Sequence, residues 1–322
     1  MDVFLNALRA AAEGTRLRVL ALAAGGQFCV MEFAEILGQS QPRLSRHLRL
    51  LCEAGLLERT REGSNTWFTL PPPGDDGGSL ARLLLARIPA DDPLVAADRR
   101  QAARVLAERA RAASESFQRA GADWDEMRAL KLPAAAVERA LLDLLPPAAI
   151  GRMLDIGTGT GGLLESLAPR VSAAIGVDAS RSMLALARTR LARPGLDHCS
   201  VRQADMYRLP FTDGSFDLVV MQMVLHYAED PETALIEAAR VLRPGGRLVI
   251  VDLVPHRDRE AFFRLAHRWE GFPDVVIIAW LASAGLTVHR AQIVSGPLDV
   301  RIWAAGHAGL PAPADLAMEA IR

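Results

Sequence analysis

At 322 residues, half of them apolar, the chain is too long for one small domain and comfortable for two. Its formal net charge of -1 excludes a global basic field, so any contact with nucleic acid must come from a local patch. Cys29, Cys52 and Cys199 share no C-x-x-C spacing, no basic segment followed by an apolar run opens the chain, and no stretch approaches the roughly 20 apolar residues of a membrane span. A cytoplasmic protein with no disulfide framework and no membrane partner is expected.

Residues 1–70 read as short helices followed by a β-hairpin. Thr15–Leu20 starts an amphipathic helix, Val30–Leu37 is a second, and Gly38-Gln39 turns the chain. Ser40 caps a third helix that has Pro42 in its first turn. Leu44, Leu48 and Leu51 face inward, which leaves Gln41, Arg43, Ser45, Arg46, His47 and Arg49 for the exposed faces. Leu57–Phe68 reads as two strands around a Gly-containing turn, with Arg61 beside it. The order is helix-turn-helix plus wing. Residues 40–61 hold five Arg against two Glu, a local cationic patch suited to phosphates and guanine edges. Gln41, Arg43, Ser45, Arg46, His47 and Arg61 are the candidate DNA contacts.

The stretches TRLRVLALA and MEFAEILGQSQPRLSRHLRLLCEAGLLERTREG, with the wing, resemble the ArsR family of winged-helix repressors. The resemblance implies a homodimer reading a two-fold symmetric operator in double-stranded DNA. Many such proteins sense metals through Cys-Val-Cys. Here the matching place reads Cys29-Val30-Met31, and a thioether does not replace the missing thiolate for hard or borderline metals. No metal site is expected, and Cys29 reads as a small core residue.

Residues 71–78, Pro-Pro-Pro-Gly-Asp-Asp-Gly-Gly, continue neither helix nor strand and mark a boundary. The segment 71–122 is a linker followed by an Arg/Ala/Leu-rich helical spacer or dimerisation segment. Asp92-Pro93 starts its main helix. Leu94, Val95, Val105 and Leu106 are too sparse for a long coiled coil.

From residue 133 short apolar runs alternate with helical segments, the signature of βαβ units and a parallel sheet. Met153-Leu154-Asp155-Ile156 ends a strand, Gly157-Thr158-Gly159-Thr160-Gly161-Gly162 turns, and Leu163–Leu167 starts a helix. The glycines permit close approach of a ligand to the backbone, but G-x-G-x-x-G alone would suit NAD equally. Charge decides. Asp155 precedes the first glycine by two residues, where its carboxylate repels a diphosphate and suits the ammonium and sulfonium of S-adenosylmethionine. Asp178 ends the next strand, placed to accept from both ribose hydroxyls. Asp205, after the third strand, suits the adenine amino group, and Met206 the ring face. Phe216–Met221 is a fourth strand and Arg247–Asp252 a fifth.

The stretches LDIGTGTG, GVDAS, ADMYRLPF, SFDLVVMQMVLHY and VLRPGGRLVIVD look like those of class I S-adenosylmethionine-dependent methyltransferases, over about residues 115–305. The resemblance implies an α/β, Rossmann-like domain with a seven-stranded sheet over 123–305, and a tail over 306–322. By position it makes Asp155, Gly157, Gly159, Asp178, Met183, Asp205 and Gln222 cofactor contacts. Phe117 and Trp124 resemble aromatic residues that cover the site in related proteins. The two halves together resemble ArsR-type regulators carrying a methyltransferase-like domain, some of them S-adenosylhomocysteine-responsive regulators of the methionine cycle.

Two functions follow. In one, the chain is a transcription factor whose methyltransferase fold senses S-adenosylmethionine or S-adenosylhomocysteine. In the other, it is a small-molecule methyltransferase with an autoregulatory DNA-binding domain, positioning its acceptor for in-line displacement. His226, Tyr227, His256 and His267 are substrate-facing candidates, though a lone His is more often structural. The chain has no Asn-Pro-Pro-aromatic tetrapeptide, and Cys199 alone is too few thiolates for a metalloid acceptor. No catalytic residue is assigned.

Overall fold

The computed structural model describes residues 1–89, 91–119, 134–145, 150–256 and 268–307. Trp124, His267 and the tail beyond residue 307 lie outside the described residues, as does the side chain of Phe117. The chain divides into two compact units.

The first unit comprises Met1–Ser116 with Gly159–Ala174 and Ser180–Gln203. Its N-terminal part has helices α1 (Asp2–Ala11), α2 (Gly14–Ala24), α3 (Val30–Leu37) and α4 (Gln41–Glu53), and strands β1 (Phe28–Cys29), β2 (Glu58–Glu62) and β3 (Asn65–Thr69). Local chemistry sets these bounds. Glu13 caps α2 by accepting from the Arg16 amide at 2.9 Å. Glu32 reaches back to the Cys29 amide at 2.8 Å to open α3, and Gly38 closes it at φ 63°, a conformation glycine adopts without steric cost. Strands β2 and β3 pair antiparallel from Glu58 opposite Thr69 to Glu62 opposite Asn65, leaving Gly63-Ser64 as the turn. Strand β1 adds to the other side of β3. Phe28, Phe33, Leu44, Leu48, Leu51 and Phe68 are buried in one apolar core. This is the expected winged helix.

Helix α5 (Asp76–Leu85) begins inside the 71–78 run, where a break is expected. Gly78 explains it: a Cβ there would sit 2.3 Å from the Pro72 carbonyl oxygen, so only glycine lets the helix start against the proline backbone. Helix α6 (Pro93–Arg119) starts where expected, with Asp92 accepting from the Leu94 and Val95 amides at 3.0 Å. The unit also contains α8 (Gly162–Leu167), α9 (Arg181–Leu191) and β6 (Cys199–Gln203).

The second unit contains α7 (Ala134–Leu144), β4 (Ile150–Ile156), β7 (Phe216–Gln222), α10 (Pro231–Val241), β8 (Leu242–Leu253), α11 (Asp274–Ser283), β9 (Leu286–Val294) and β10 (Val300–His307). With β5 (Val171–Asp178) and β6, its strands form one seven-stranded sheet, ordered β6-β5-β4-β7-β8-β10-β9. Strand β4 runs parallel to β7 and β7 to β8, while β10 is antiparallel to both β8 and β9. The near-continuous apolar runs of β4, β7 and β8 are those of strands covered on both faces. Leu154, Val219, Met221, Leu248 and Ile250 are all 1% exposed or less. Chain order reverses between β4 and β7, the kind of switch point at whose carboxyl ends open α/β sheets take ligands.

Candidate functional site

In the second unit, the residues expected at the ligand lie on successive strand ends. The turn after β4 is latched to β5, because the amides of Gly157 and Thr158 both donate to the Val177 carbonyl, at 2.8 and 3.0 Å. Gly157 has φ 76°, and a Cβ there would lie 2.2 Å from Val224. The position is glycine for two independent reasons.

Asp155 is 2% exposed. Its Oδ2 is buried without a hydrogen bond among the described residues, and so is the Thr158 hydroxyl. Burial pushes the Asp155 carboxyl up to about 7; the Thr158 hydroxyl, nearby but outside hydrogen-bond geometry, opposes the shift, and the charge of Asp178 adds to it. A buried acceptor with no donor is costly unless something supplies one. It fits an adenosyl ligand whose amino group donates there.

Asp178, the half-buried last residue of β5, accepts through its backbone carbonyl from the Ala204 amide at 3.2 Å. That bond holds the segment after β6 beside the end of β5. Asp205 on this segment is exposed and accepts from the Tyr207 amide at 3.0 Å. Met206 is half-buried against the apolar core. Gln222 ends β7, and Met223 follows at φ 53°, with its amide donating to the Val251 carbonyl at 2.8 Å. A non-glycine residue held in this sparsely populated region marks a locally over-determined backbone. The other two expected contacts belong to the first unit. Gly159 has φ 53°, and Met183 lies half-buried in the first turn of α9, its amide donating to Ser180 Oγ at 3.4 Å.

His226, a substrate-facing candidate at a place where a lone His is more often structural, is fully buried. Its Nδ1 lies 2.7 Å from Asp252 Oδ1. Asp252, also fully buried, further accepts from the amides of Leu225, His226 and Leu253. The pair ties the segment after β7 to the end of β8. The sequence gives no direct sign of this partnership; a histidine four residues past one strand end and an Asp near the end of the next is its only local signal. Tyr227 is half-buried, with its phenol pushed up to about 12 by burial. His256, after β8, is half-buried with neither ring nitrogen hydrogen-bonded among the described residues.

On the winged helix, Gln41, Arg43, Ser45 and Arg46 are exposed along α4, and Arg61 is exposed on β2. His47 departs from them. Its side chain is 13% exposed, with Nδ1 3.7 Å from Glu13 Oε2, and burial lowers its pKa. Position 47 lies three residues after Leu44 and four before Leu51, at the edge of the buried face of α4. Cys29 is half-buried with its thiol pushed up by burial, which disfavours the thiolate a metal needs. No cluster of three His, Cys, Asp or Glu suited to a metal occurs among the described residues. No helix of the described residues is long and apolar enough to cross a membrane.

Residues 13–59 match the model of bacterial regulatory proteins of the arsR family, and residues 154–250 match that of the methyltransferase domain. The two matches lie in separate stretches of this one chain. It is 37% identical over 101 residues to an uncharacterized methyltransferase, YcgJ, of Bacillus subtilis, covering 31% of this chain and 40% of that protein. Over 119 residues it is 41% identical to a demethylmenaquinone methyltransferase of Thermus thermophilus, covering 36% and 54%. The chain thus spans about half the length of these curated relatives. The crystal structure of YcgJ from Bacillus subtilis aligns with 53% of this chain and 98% of its own, at 20% identity and a TM-score of 0.47.

Proposed function

We propose that the chain is an ArsR-type transcriptional regulator, acting in the cytoplasm as a homodimer on operator DNA, whose methyltransferase-fold domain binds S-adenosylmethionine or S-adenosylhomocysteine as effector. One observation carries this reading. The same chain holds a winged helix whose exposed Arg43 and Arg46 make no ion pair among the described residues, and a buried Asp155 whose Oδ2 has no hydrogen bond among the described residues. In this reading Asp155 takes the ligand's amino group, Asp178 the ribose hydroxyls and Asp205 the adenine amino group. Met206 and Gln222 line the adenosyl moiety, and Gly157 admits it close to the backbone. Dimer formation is supported by α1, which leaves Val3, Phe4 and Leu5 exposed. An effector acts only through its differential affinity for two DNA-binding states. Operator binding followed by anisotropy, at fixed salt, should therefore change by about 5- to 150-fold with saturating ligand. Equal affinity with and without either ligand removes the sensor reading.

The second reading, an active small-molecule methyltransferase, is favoured by relatives named as methyltransferases of demethylmenaquinone and of phosphatidylethanolamine. When bound, S-adenosylmethionine supplies an electrophilic methyl group, and the site's part is to position an acceptor in line with it. Turnover of labelled S-adenosylmethionine with cell extract distinguishes this reading.

Both readings need the ribose acceptor. Asp178→Ala should weaken binding of either adenosyl ligand by about tenfold to a hundredfold, because hydrogen bonds to a charged group contribute roughly 1.5–3 kcal/mol. Unchanged calorimetric affinity in a folded variant, or NAD binding tighter than S-adenosylhomocysteine, rejects the assignment.

A further inference from the structure

Two arginines from different elements meet at the turn of the wing. Arg61, exposed on β2, donates through Nε to the Gly63 carbonyl at 3.4 Å. Arg181, the exposed first residue of α9, lies against the same glycine. A Cβ on Gly63 would be 2.2 Å from Arg181 Nη2 and 2.9 Å from its Cζ. The missing side chain is what lets the guanidinium rest on the turn. These residues all belong to one compact unit.

Helix α9 is fastened to the hairpin, which holds Arg181 in place. Glu62, the last residue of β2, is 6% exposed, and Arg188 of α9 is 3% exposed. Arg188 Nη2 donates to Glu62 Oε1 at 2.5 Å, and its guanidinium lies 3.9 Å from the centre of the Trp67 ring on β3. The same Glu62 oxygen accepts from the Gln203 amide of β6 at 2.8 Å. The Gln203 side chain in turn accepts from Arg181 Nε at 3.1 Å.

Charge at the turn is left unbalanced. Among the described residues the partners of Arg61 and Arg181 are neutral, a carbonyl and a side-chain amide. Glu62 is already engaged by Arg188 and the Gln203 amide. Glu58 stands four residues back along β2, roughly 13 Å in extended chain. Two like charges at one exposed turn repel each other. Arg181 also opposes the dipole of its own helix, whose first turn is positive. Stability does not account for this arrangement, whereas an anion between the two guanidinium groups does. A phosphodiester offers oxygens to both, in the geometry that arginine matches best.

We propose that Arg181, although it lies within the stretch that matches the methyltransferase domain, contacts the phosphate backbone of operator DNA beside Arg61. This rests on the reading that the winged helix binds DNA. Part of the operator interface then comes from outside the winged helix. A phosphate contact adds affinity and fixes register without reading sequence.

The test uses the full chain and an operator duplex recovered by in vitro selection with the wild type. Anisotropy over a salt series gives the slope of log affinity against log salt, to which each phosphate contact adds about 0.9. Arg181→Gln should lower that slope by about one. At about 0.1 M salt it should weaken binding by about eightfold, the same slope carried down from 1 M. An unrelated duplex should lose the same factor, and Arg181→Lys should restore the slope. Should the glutamine variant fail to fold, Arg181→Met keeps the aliphatic stem and gives the same readout. A wild type that selects no operator overturns the DNA-binding reading and this inference with it. An unchanged slope and affinity in a folded variant overturns the inference alone. Weaker binding with an unchanged slope also overturns it, by assigning Arg181 to holding the wing in place.

Discussion

Asp155→Asn should abolish measurable binding of adenosyl ligands and, at the same time, raise the thermal stability of the ligand-free chain above pH 7. Both effects come from one buried carboxyl. Its pKa is pushed up to about 7, by burial first and by the Asp178 charge second, whereas in the unfolded chain it titrates near about 4. Between those values the native state holds a proton that the unfolded state has lost. Stability from this group is thus fully present below about pH 4 and falls as pH rises towards 7. Three pKa units correspond to on the order of 4 kcal/mol as an upper bound. An amide of the same shape carries no such penalty.

Ligand affinity runs the other way. An ammonium donor needs the carboxylate, so wild-type affinity should rise about tenfold per pH unit up to about 7 and then level off. Calorimetry between pH 5.5 and 8.5, with melting temperatures at each end, measures both slopes. A variant that binds S-adenosylhomocysteine as tightly as wild type takes Asp155 out of the site. One that binds weakly but melts no higher at pH 8 denies the carboxyl its elevated pKa.

Replacing Arg43 and Arg46 together with Ala should abolish specific operator binding and leave adenosyl-ligand affinity untouched. Both side chains are exposed on α4, so their removal costs the fold little. A good bidentate contact between arginine and guanine contributes about 1–3 kcal/mol of discrimination. Two such losses weaken the specific complex by roughly thirtyfold or more. Contacts to phosphate release counterions, so the residual binding should also depend less steeply on salt. Footprinting and anisotropy over a salt series read both effects. If the double variant protects the same footprint, α4 is not the recognition helix.

Elements whose signals lie within a few residues were legible from the sequence. Asp92-Pro93 starts a helix because a side-chain acceptor and a fixed φ act on the next turn alone. Gly38 ends α3, and the Gly63-Ser64 turn pairs β2 with β3, through backbone conformations that need no distant partner. The glycine turn after β4 was equally readable, and so was the placing of Asp155 and Asp178 near the ends of successive strands, since strand periodicity and loop chemistry fix both locally. Pairing and burial were not local, and the tertiary structure decided them. His47 turns inward on Glu13, 34 residues earlier in the chain, although its own helix reads it as exposed. His226 and Asp252 meet only because β7 and β8 are sheet neighbours. Glu62 and Arg188 are 126 residues apart, and each alone reads as a solvated surface charge. Side-chain periodicity says which face of an element is apolar. Which charged residue loses its water depends on what packs over it, and the packing partner lies elsewhere in the chain.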